Sequence, residues 1–227
     1  MNVHDIAIIS DVMKTEKFYY KDIIIEVPDE VYYPREDTLL LAKVLEKEEL
    51  KGKKCLEMCC GSGFLSVLMV KLGADAFAVD INEKAVEATK SNAEKNSVKV
   101  NAVVSDMFEN VKERFDFILF NPPYLPDDTN PKLLEKIKHE STKGRLREEN
   151  IERQWSGGKS GREVIEKFVI SVKGFMRKHA KIIMMISSLT GEKETKQLFE
   201  ENGFSVKEIA REKIPWEELI VFEVTLR

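Results

Sequence analysis

Between Lys53 and Phe120 the chain switches its hydrophobic period repeatedly, and this alternation restricts the possible folds more than any other feature of the 227 residues. Short apolar runs at 55–58, 76–79, 98–104 and 115–120 read as strands. The segments 64–72 and 83–95 read as helices, the first from its apolar i, i+3, i+4 spacing. Such alternation predicts a parallel, doubly wound α/β sheet, with 115–120 continuous enough to be buried on both faces. Beyond the break at 125–158 come a predicted helix (162–178), a strand (181–187), a helix (192–201) and two strands (205–210 and 219–226). Those last two have no helix between them, so an antiparallel hairpin should close the sheet edge. Upstream, 18–27 suits a hairpin, and Asp37 or Thr38 can cap a helix over 39–45. The expected division is an N-terminal extension over 1–50 and the sheet domain over 51–227.

Composition excludes several classes. An apolar content of 43% is ordinary for a folded domain, and a chain of this length buries about 70% of its unfolded surface. A net charge of −4 argues against a nucleic-acid coat. The three cysteines, Cys55, Cys59 and Cys60, form no C-x-x-C pair and the three histidines are scattered, so no metal site is expected. Reduced thiols, no signal peptide and apolar runs far short of the roughly 20 residues that span a bilayer fit a cytoplasmic protein.

Glu57-Met58-Cys59-Cys60-Gly61-Ser62-Gly63 follows a strand and opens a helix, whose N-terminus offers N–H donors. Gly61 and Gly63 allow close backbone approach to a ligand. Asp80 ends the next strand, where a carboxylate can accept both hydroxyls of a ribose. The third glycine of a dinucleotide fingerprint is missing, with Ser66 in its place, and Glu57 would repel a pyrophosphate. An acid there suits an ammonium or sulfonium. The pattern resembles the class I S-adenosylmethionine (SAM) methyltransferases, a Rossmann-like fold with a seven-stranded, mostly parallel sheet whose last strand is antiparallel. An ordinary strand–turn–helix would read the same way. Asp106 and Met107, after the third strand, stand where the resemblance places the adenine contacts, although a Ser-Asp pair at a strand end also caps helices.

Asn121-Pro122-Pro123-Tyr124 follows the fourth strand. Two prolines stop the ladder and stiffen the loop, which fixes two acceptors, the Asn121 carboxamide oxygen and the Pro122 carbonyl. A planar amino group has two N–H donors to match them. Holding both favours a pyramidal nitrogen with its lone pair aimed at the SAM methyl, and no base is needed beforehand. Tyr124 offers a ring face. The motif selects a planar amino group and leaves adenine, cytosine and glutamine open.

Two further stretches resemble the HemK family. Residues 18–27 with 31–41 (Val31-Tyr-Tyr-Pro-Arg-Glu-Asp-Thr-Leu-Leu-Leu) are similar to its hairpin and P-x-[ED]-[DE]-T segment. Trp155-Ser-Gly-Gly-Lys-Ser-Gly-Arg-Glu is similar to the W-x-G-G-x-x-G-x-E segment of its eukaryotic and archaeal branch. The resemblance implies methylation of the glutamine amide in the Gly-Gly-Gln motif of class 1 peptide release factors. It implies Thr38, Glu57, Cys59, Gly61, Gly63, Asp80, Asp106, Met107 and Asn121 as cofactor-binding, with Glu57 on the methionine ammonium, Asp80 on the ribose, and Asp106 and Met107 on the adenine. It gives Asn121, Pro122, Pro123 and Tyr124 to the substrate, with Asn121, Pro122 and Tyr124 catalytic. It also implies a small zinc-binding activator subunit on the edge of the strand running from Val98 to Val104.

The chain departs from the family where Cys59 replaces the first loop glycine, which would cost stability if its φ is positive. The stretch 132–153 carries seven basic and five acidic residues and reads as a solvated helix or as a lid beside Asn121. Trp155, Trp216, His139 and His179 read as packing or exposed surface, and the Met184-Met185 pair as core filler. Alternative readings are an adenine or cytosine amino-methyltransferase, an inactive SAM-binding scaffold and a lysine methyltransferase.

Overall fold

A computed structural model describes residues 15–127 and 156–227. Strands β1 (Thr15–Tyr20) and β2 (Ile23–Pro28) form an antiparallel hairpin, followed by helix α1 (Glu36–Leu45). Then come β3 (Lys54–Met58), α2 (Phe64–Lys71), β4 (Asp75–Asp80), α3 (Glu83–Lys95), β5 (Val100–Val104) and β6 (Phe115–Phe120). From residue 156 on, the elements are α4 (Glu163–Val172), a 3-10 turn (Lys173–Phe175), β7 (Met176–Ser187), α5 (Glu192–Glu201), β8 (Phe204–Lys213) and β9 (Glu218–Leu226). Seven strands form one sheet in the order β5-β4-β3-β6-β7-β9-β8. The first five run parallel, and the last strand, β9, is antiparallel to both neighbours. This is the mostly parallel, seven-stranded class expected from the sequence, and the antiparallel β8–β9 hairpin closes one edge with β8 outermost.

The period of two along β6 divides its side chains between two cores. Phe117 and Leu119 join the core under α1, α2, α3 and the hairpin, while Ile118 and Phe120 join the core under α4 and α5. All four are 0% exposed, so a continuous apolar run is what this central strand requires. Each such burial is worth roughly 1.5–3 kcal/mol. Met184 and Met185 serve opposite cores in the same way.

The hairpin is docked by two asparagines of α3. Asn96 Oδ1 accepts the Ile24 N–H at 3.0 Å and its Nδ2 donates to the Ile24 carbonyl at 2.7 Å. Asn92 makes the same pair with Glu26, at 2.8 Å each, and also donates to the Ser62 carbonyl at 2.9 Å. Carboxamides thus replace a neighbouring strand along the edge of β2. Edge-to-face contact of Phe18 with Phe64, centroids 4.9 Å apart, adds apolar attachment to α2.

Several boundaries differ from expectation, and β8 runs past its expected 205–210 to Lys213. Helix α1 starts at Glu36 with Arg35 at its cap, so Asp37 and Thr38 lie inside the first turn and cap nothing. Asp37 is committed elsewhere, as described below. Strand β5 starts at Val100 rather than Val98, because Ser97 takes φ 55° and the Val98 N–H returns to the Ala93 carbonyl at 3.0 Å to close the end of α3. The helix expected over 162–178 ends at Val172, and β7 begins at Met176. Met176 pairs with Phe115 and Lys181 with Phe117, so 177–180 bulge out, with His179 at φ 65°. Among the described residues no helix is long and apolar enough to cross a membrane. Trp155, His139 and the stretch 132–153 lie outside the described residues, as do 1–14.

Candidate active site

The order of the parallel strands reverses at β3, and loops leaving β3, β4, β5 and β6 diverge there at their C-terminal ends, where ligands bind in open α/β sheets. They surround a cleft of about 320 Å³. Met58 and Cys59 come from the end of β3 and the loop after it, Asp80 and Ile81 from the end of β4, Ser105, Asp106 and Met107 from the loop after β5, and 121–125 from the loop after β6. The segment before α1 adds Tyr32 and Arg35, the first turn of α1 adds Glu36 and Asp37, and the β8–β9 turn adds Ile214, Trp216 and Glu217.

Eight of the residues expected from the sequence therefore share one wall: Cys59, Asp80, Asp106, Met107, Asn121, Pro122, Pro123 and Tyr124. Thr38, Glu57, Gly61 and Gly63 stand behind it. The Gly61 N–H donates to Asp80 Oδ2 at 2.9 Å, and the Asn82 N–H donates to Asp80 Oδ1 at 2.9 Å. These bonds hold the carboxylate at the mouth of the cleft and offset part of the desolvation that raises its pKa. Gly63 has φ 76°, and a Cβ there would fall 2.7 Å from the Thr89 backbone. Its glycine is required by the close packing of α2 on α3.

Cys59 has φ 61°, a left-handed value that glycine adopts freely and cysteine only at a cost of about 1–2 kcal/mol. The departure from the family pattern therefore falls at a position that calls for glycine. Burial raises the thiol pKa of both Cys59 and Cys60 well above the ordinary value, so neither is a ready nucleophile.

Glu57 is buried, and burial lifts its pKa to about 8. The Ser66 hydroxyl donates to Glu57 Oε2 in a short hydrogen bond. The residue that breaks the dinucleotide fingerprint is thus the partner of the acid that precedes the turn. A carboxyl with this pKa is largely protonated at neutral pH and ionises when a cation arrives.

The acceptor loop is organised through Asp37. Asn121 Nδ2 donates to Asp37 Oδ2 at 2.8 Å, while Tyr32 Oη and Thr38 Oγ1 each donate to Asp37 Oδ1 at 3.1 Å. A carboxylate only accepts, so it fixes which end of the Asn121 carboxamide faces it. Asn121 Oδ1 is then buried with no partner among the described residues. Glu217 adds a second buried carboxyl whose Oε2 is also unpartnered, and burial lifts its pKa to about 7. Sequence reasoning missed Tyr32, Arg35, Asp37 and Glu217 as wall residues. Trp216, read as packing, also lines the cleft.

The family model described as methyltransferase small domain matches residues 36–149. A Methanocaldococcus jannaschii protein, provisionally named protein N5-glutamine methyltransferase MJ0928, is 39% identical over 200 residues, covering 88% of this chain and 93% of the relative. Methyltransferase HEMK2 of Homo sapiens is 36% identical over 149 residues, 61% of this chain and 63% of that protein. Among solved structures, the Mtq2–Trm112 complex of E. cuniculi, described as methylating the eRF1 translation termination factor, matches with a TM-score of 0.65 and 24% identity. That match covers 87% of this chain and 99% of the other, and it is a likeness of fold.

Proposed function

This chain belongs to the HemK-type family of class I SAM-dependent methyltransferases, and on that premise we propose that its acceptor is the side-chain amide nitrogen of glutamine in the Gly-Gly-Gln motif of a class 1 peptide release factor. The observation that carries this reading is the orphaned, buried Asn121 Oδ1, held in place through the Asn121–Asp37 bond. A buried acceptor without a donor costs about 1–3 kcal/mol, and an incoming N–H recovers it.

Bound SAM supplies an electrophilic methyl on a positively charged sulfur. The residues on the cleft fit that molecule, with Asp80 for the ribose hydroxyls and Asp106 and the Met107 backbone for the adenine, while Glu57, behind the wall, would answer the ammonium. Asn121 Oδ1 and the Pro122 carbonyl take the two amide N–H groups. Polarising both bonds draws electron density onto nitrogen and stabilises the positive charge that develops there. Pro123 and the Tyr124 ring pack against the planar amide.

The acceptor half of the cleft carries Glu36, Asp37 and Glu217. Among the described residues these three carboxyls outnumber the one cation beside them, Arg35, and that balance disfavours a phosphate backbone and supports a peptide acceptor over a nucleobase. We further propose that 1–50 serves as an extension to a methyltransferase unit over 51–227. The E. cuniculi relative stands in a complex with Trm112. Here β5 ends the sheet and pairs only with β4 among the described residues, with Val104 41% exposed. That edge is our proposed seat for a small zinc-binding activator.

Peptide mass spectrometry tests the acceptor. The organism's own class 1 release factor is incubated with SAM and this protein, with and without the candidate subunit. One added methyl on the Gly-Gly-Gln peptide is expected. No methyl in either arm, with SAM binding intact, would overturn the reading.

A further inference from the structure

The acceptor loop is gripped from behind by a turn that the sequence assigns to no chemistry. Gly157 donates its N–H to the Leu125 carbonyl at 2.9 Å, and the Asp127 N–H donates to the Gly158 carbonyl at 2.9 Å. Leu125 and Ser156 form an isolated parallel bridge. Two of the three glycines of this turn, Gly157 and Gly161, approach the loop backbone closely. A Cβ on Gly157 would lie 2.8 Å from the Pro123 carbonyl oxygen. One on Gly161, at φ 75°, would lie 2.6 Å from the Tyr124 carbonyl oxygen. No side chain fits at either place.

Thr190, fully buried after β7, grips the same loop from another element. Its hydroxyl donates to the Tyr124 carbonyl at 3.1 Å and accepts the Ser187 N–H at 3.3 Å. Its own carbonyl accepts from Arg162, whose guanidinium nitrogen is 2.6 Å away. Arg162 stands at the end of the glycine turn, next to α4. The Tyr124 carbonyl is therefore hydrogen-bonded by Thr190 and closely approached by the Gly161 backbone, and Arg162 links the glycine turn to Thr190.

We propose that the 156–162 turn and Thr190 form a clamp that sets the Pro122 carbonyl relative to Asn121 Oδ1, with Thr190 as a positioning residue for methyl transfer. The proposal rests on the reading of 121–124 as the acceptor loop. The physical reason is leverage. Two acceptors serve one amide only if their separation is fixed. Asn121 Oδ1 is fixed through Asp37, from the first turn of α1. The Pro122 carbonyl is the other acceptor, and its restraint comes from Pro123 and Tyr124, which the clamp holds. A displacement near 1 Å at a reacting centre can cost about a hundredfold in rate.

The test compares Thr190→Val, which keeps the shape and removes the donor, with Thr190→Ser, which keeps the hydroxyl. Thr190→Val is expected to lower kcat about tenfold to a hundredfold, with the Kd for SAM by calorimetry unchanged. Thr190→Ser should recover most of the loss. Hydrogen–deuterium exchange should quicken at Asp127 and Gly157, whose N–H groups bond across the clamp, in the valine variant, a readout independent of the acceptor. Unchanged kcat and exchange in Thr190→Val would overturn the proposal. So would a parallel loss of SAM binding and kcat, because that marks a general structural role. A wild-type enzyme inactive on Gly-Gly-Gln peptides would instead count against the glutamine reading, and the exchange comparison would then decide the clamp alone.

Discussion

The Asn121 carboxamide is held by Asp37, 84 residues away in sequence, through a 2.8 Å hydrogen bond that leaves the opposite oxygen buried and free to accept. Asn121→Ala removes that acceptor and should lower methyl transfer about 10²–10³-fold while the Kd for SAM stays near wild type. Asp37→Asn keeps the shape but replaces a pure acceptor with a group that also donates, so the carboxamide loses its fixed orientation. A kcat loss of about tenfold or more is expected, with little change in SAM affinity. Steady-state kinetics with calorimetry checks both, and unchanged turnover in either variant refutes its assigned role.

Asp80 offers its carboxylate at the cleft mouth, braced by the N–H groups of Gly61 and Asn82. Asp80→Ala should weaken SAM at least about tenfold, since two charge-assisted hydrogen bonds to a ribose are lost. Calorimetric titration reads this directly, and wild-type affinity would remove the ribose assignment.

Glu57 makes SAM binding depend on pH. Its folded pKa, about 8, lies above the ordinary carboxylate value of 4.5. The free enzyme therefore holds a proton on Glu57 at neutral pH, and an arriving ammonium should expel it. Binding at pH 7 should release close to one proton, measured by calorimetry in buffers of different ionisation enthalpy. Affinity should rise with pH up to about 8 and then level off. In the ligand-free protein the sign for stability is opposite: the raised pKa costs stability as pH climbs from 4.5 toward 8, because only the unfolded carboxyl ionises easily. Glu57→Gln should flatten both profiles.

Cys59 bears left-handed strain at φ 61° on the cleft wall. Cys59→Gly should remove about 1 kcal/mol of that strain and preserve or raise SAM affinity. Thermal unfolding and calorimetry check the two halves. A clear loss of affinity would mean that the cysteine side chain itself contacts the ligand.

Gly63 and Gly61 should respond differently to alanine. At Gly63 the new Cβ meets the Thr89 backbone at 2.7 Å, so Gly63→Ala should cost about 2–4 kcal/mol through strain and the parting of α2 from α3. At Gly61 the nearest atom is 3.8 Å away and only the backbone penalty applies, about 1 kcal/mol. Urea denaturation separates them, and equal losses would contradict the packing account.

What the sequence determined by itself was local and periodic. Alternating hydrophobic period sets the parallel sheet, because a strand buried on both faces must be apolar throughout, as 115–120 is. Helices 83–95 and 192–201 match their expected bounds because caps and stops sit beside them in the chain. The cleft-lining positions of Cys59, Asp80, Asp106, Met107 and 121–124 follow from the same cause, since each stands at or just past the C-terminal end of a strand. The tertiary structure alone decided which partner each polar side chain received. Asp37 looks like a helix cap from its neighbours and is the brace of Asn121. Ser66 looks like a failed glycine and is the donor to Glu57. Asn92 and Asn96 look like polar surface of a helix and serve as the missing strand for β2. Gly157 and Gly161 look like loop residues and press on the acceptor backbone. A hydrogen bond or a close approach depends on where two chain segments meet in space, and hydrophobic period fixes which face of an element is buried without fixing what waits opposite its polar atoms.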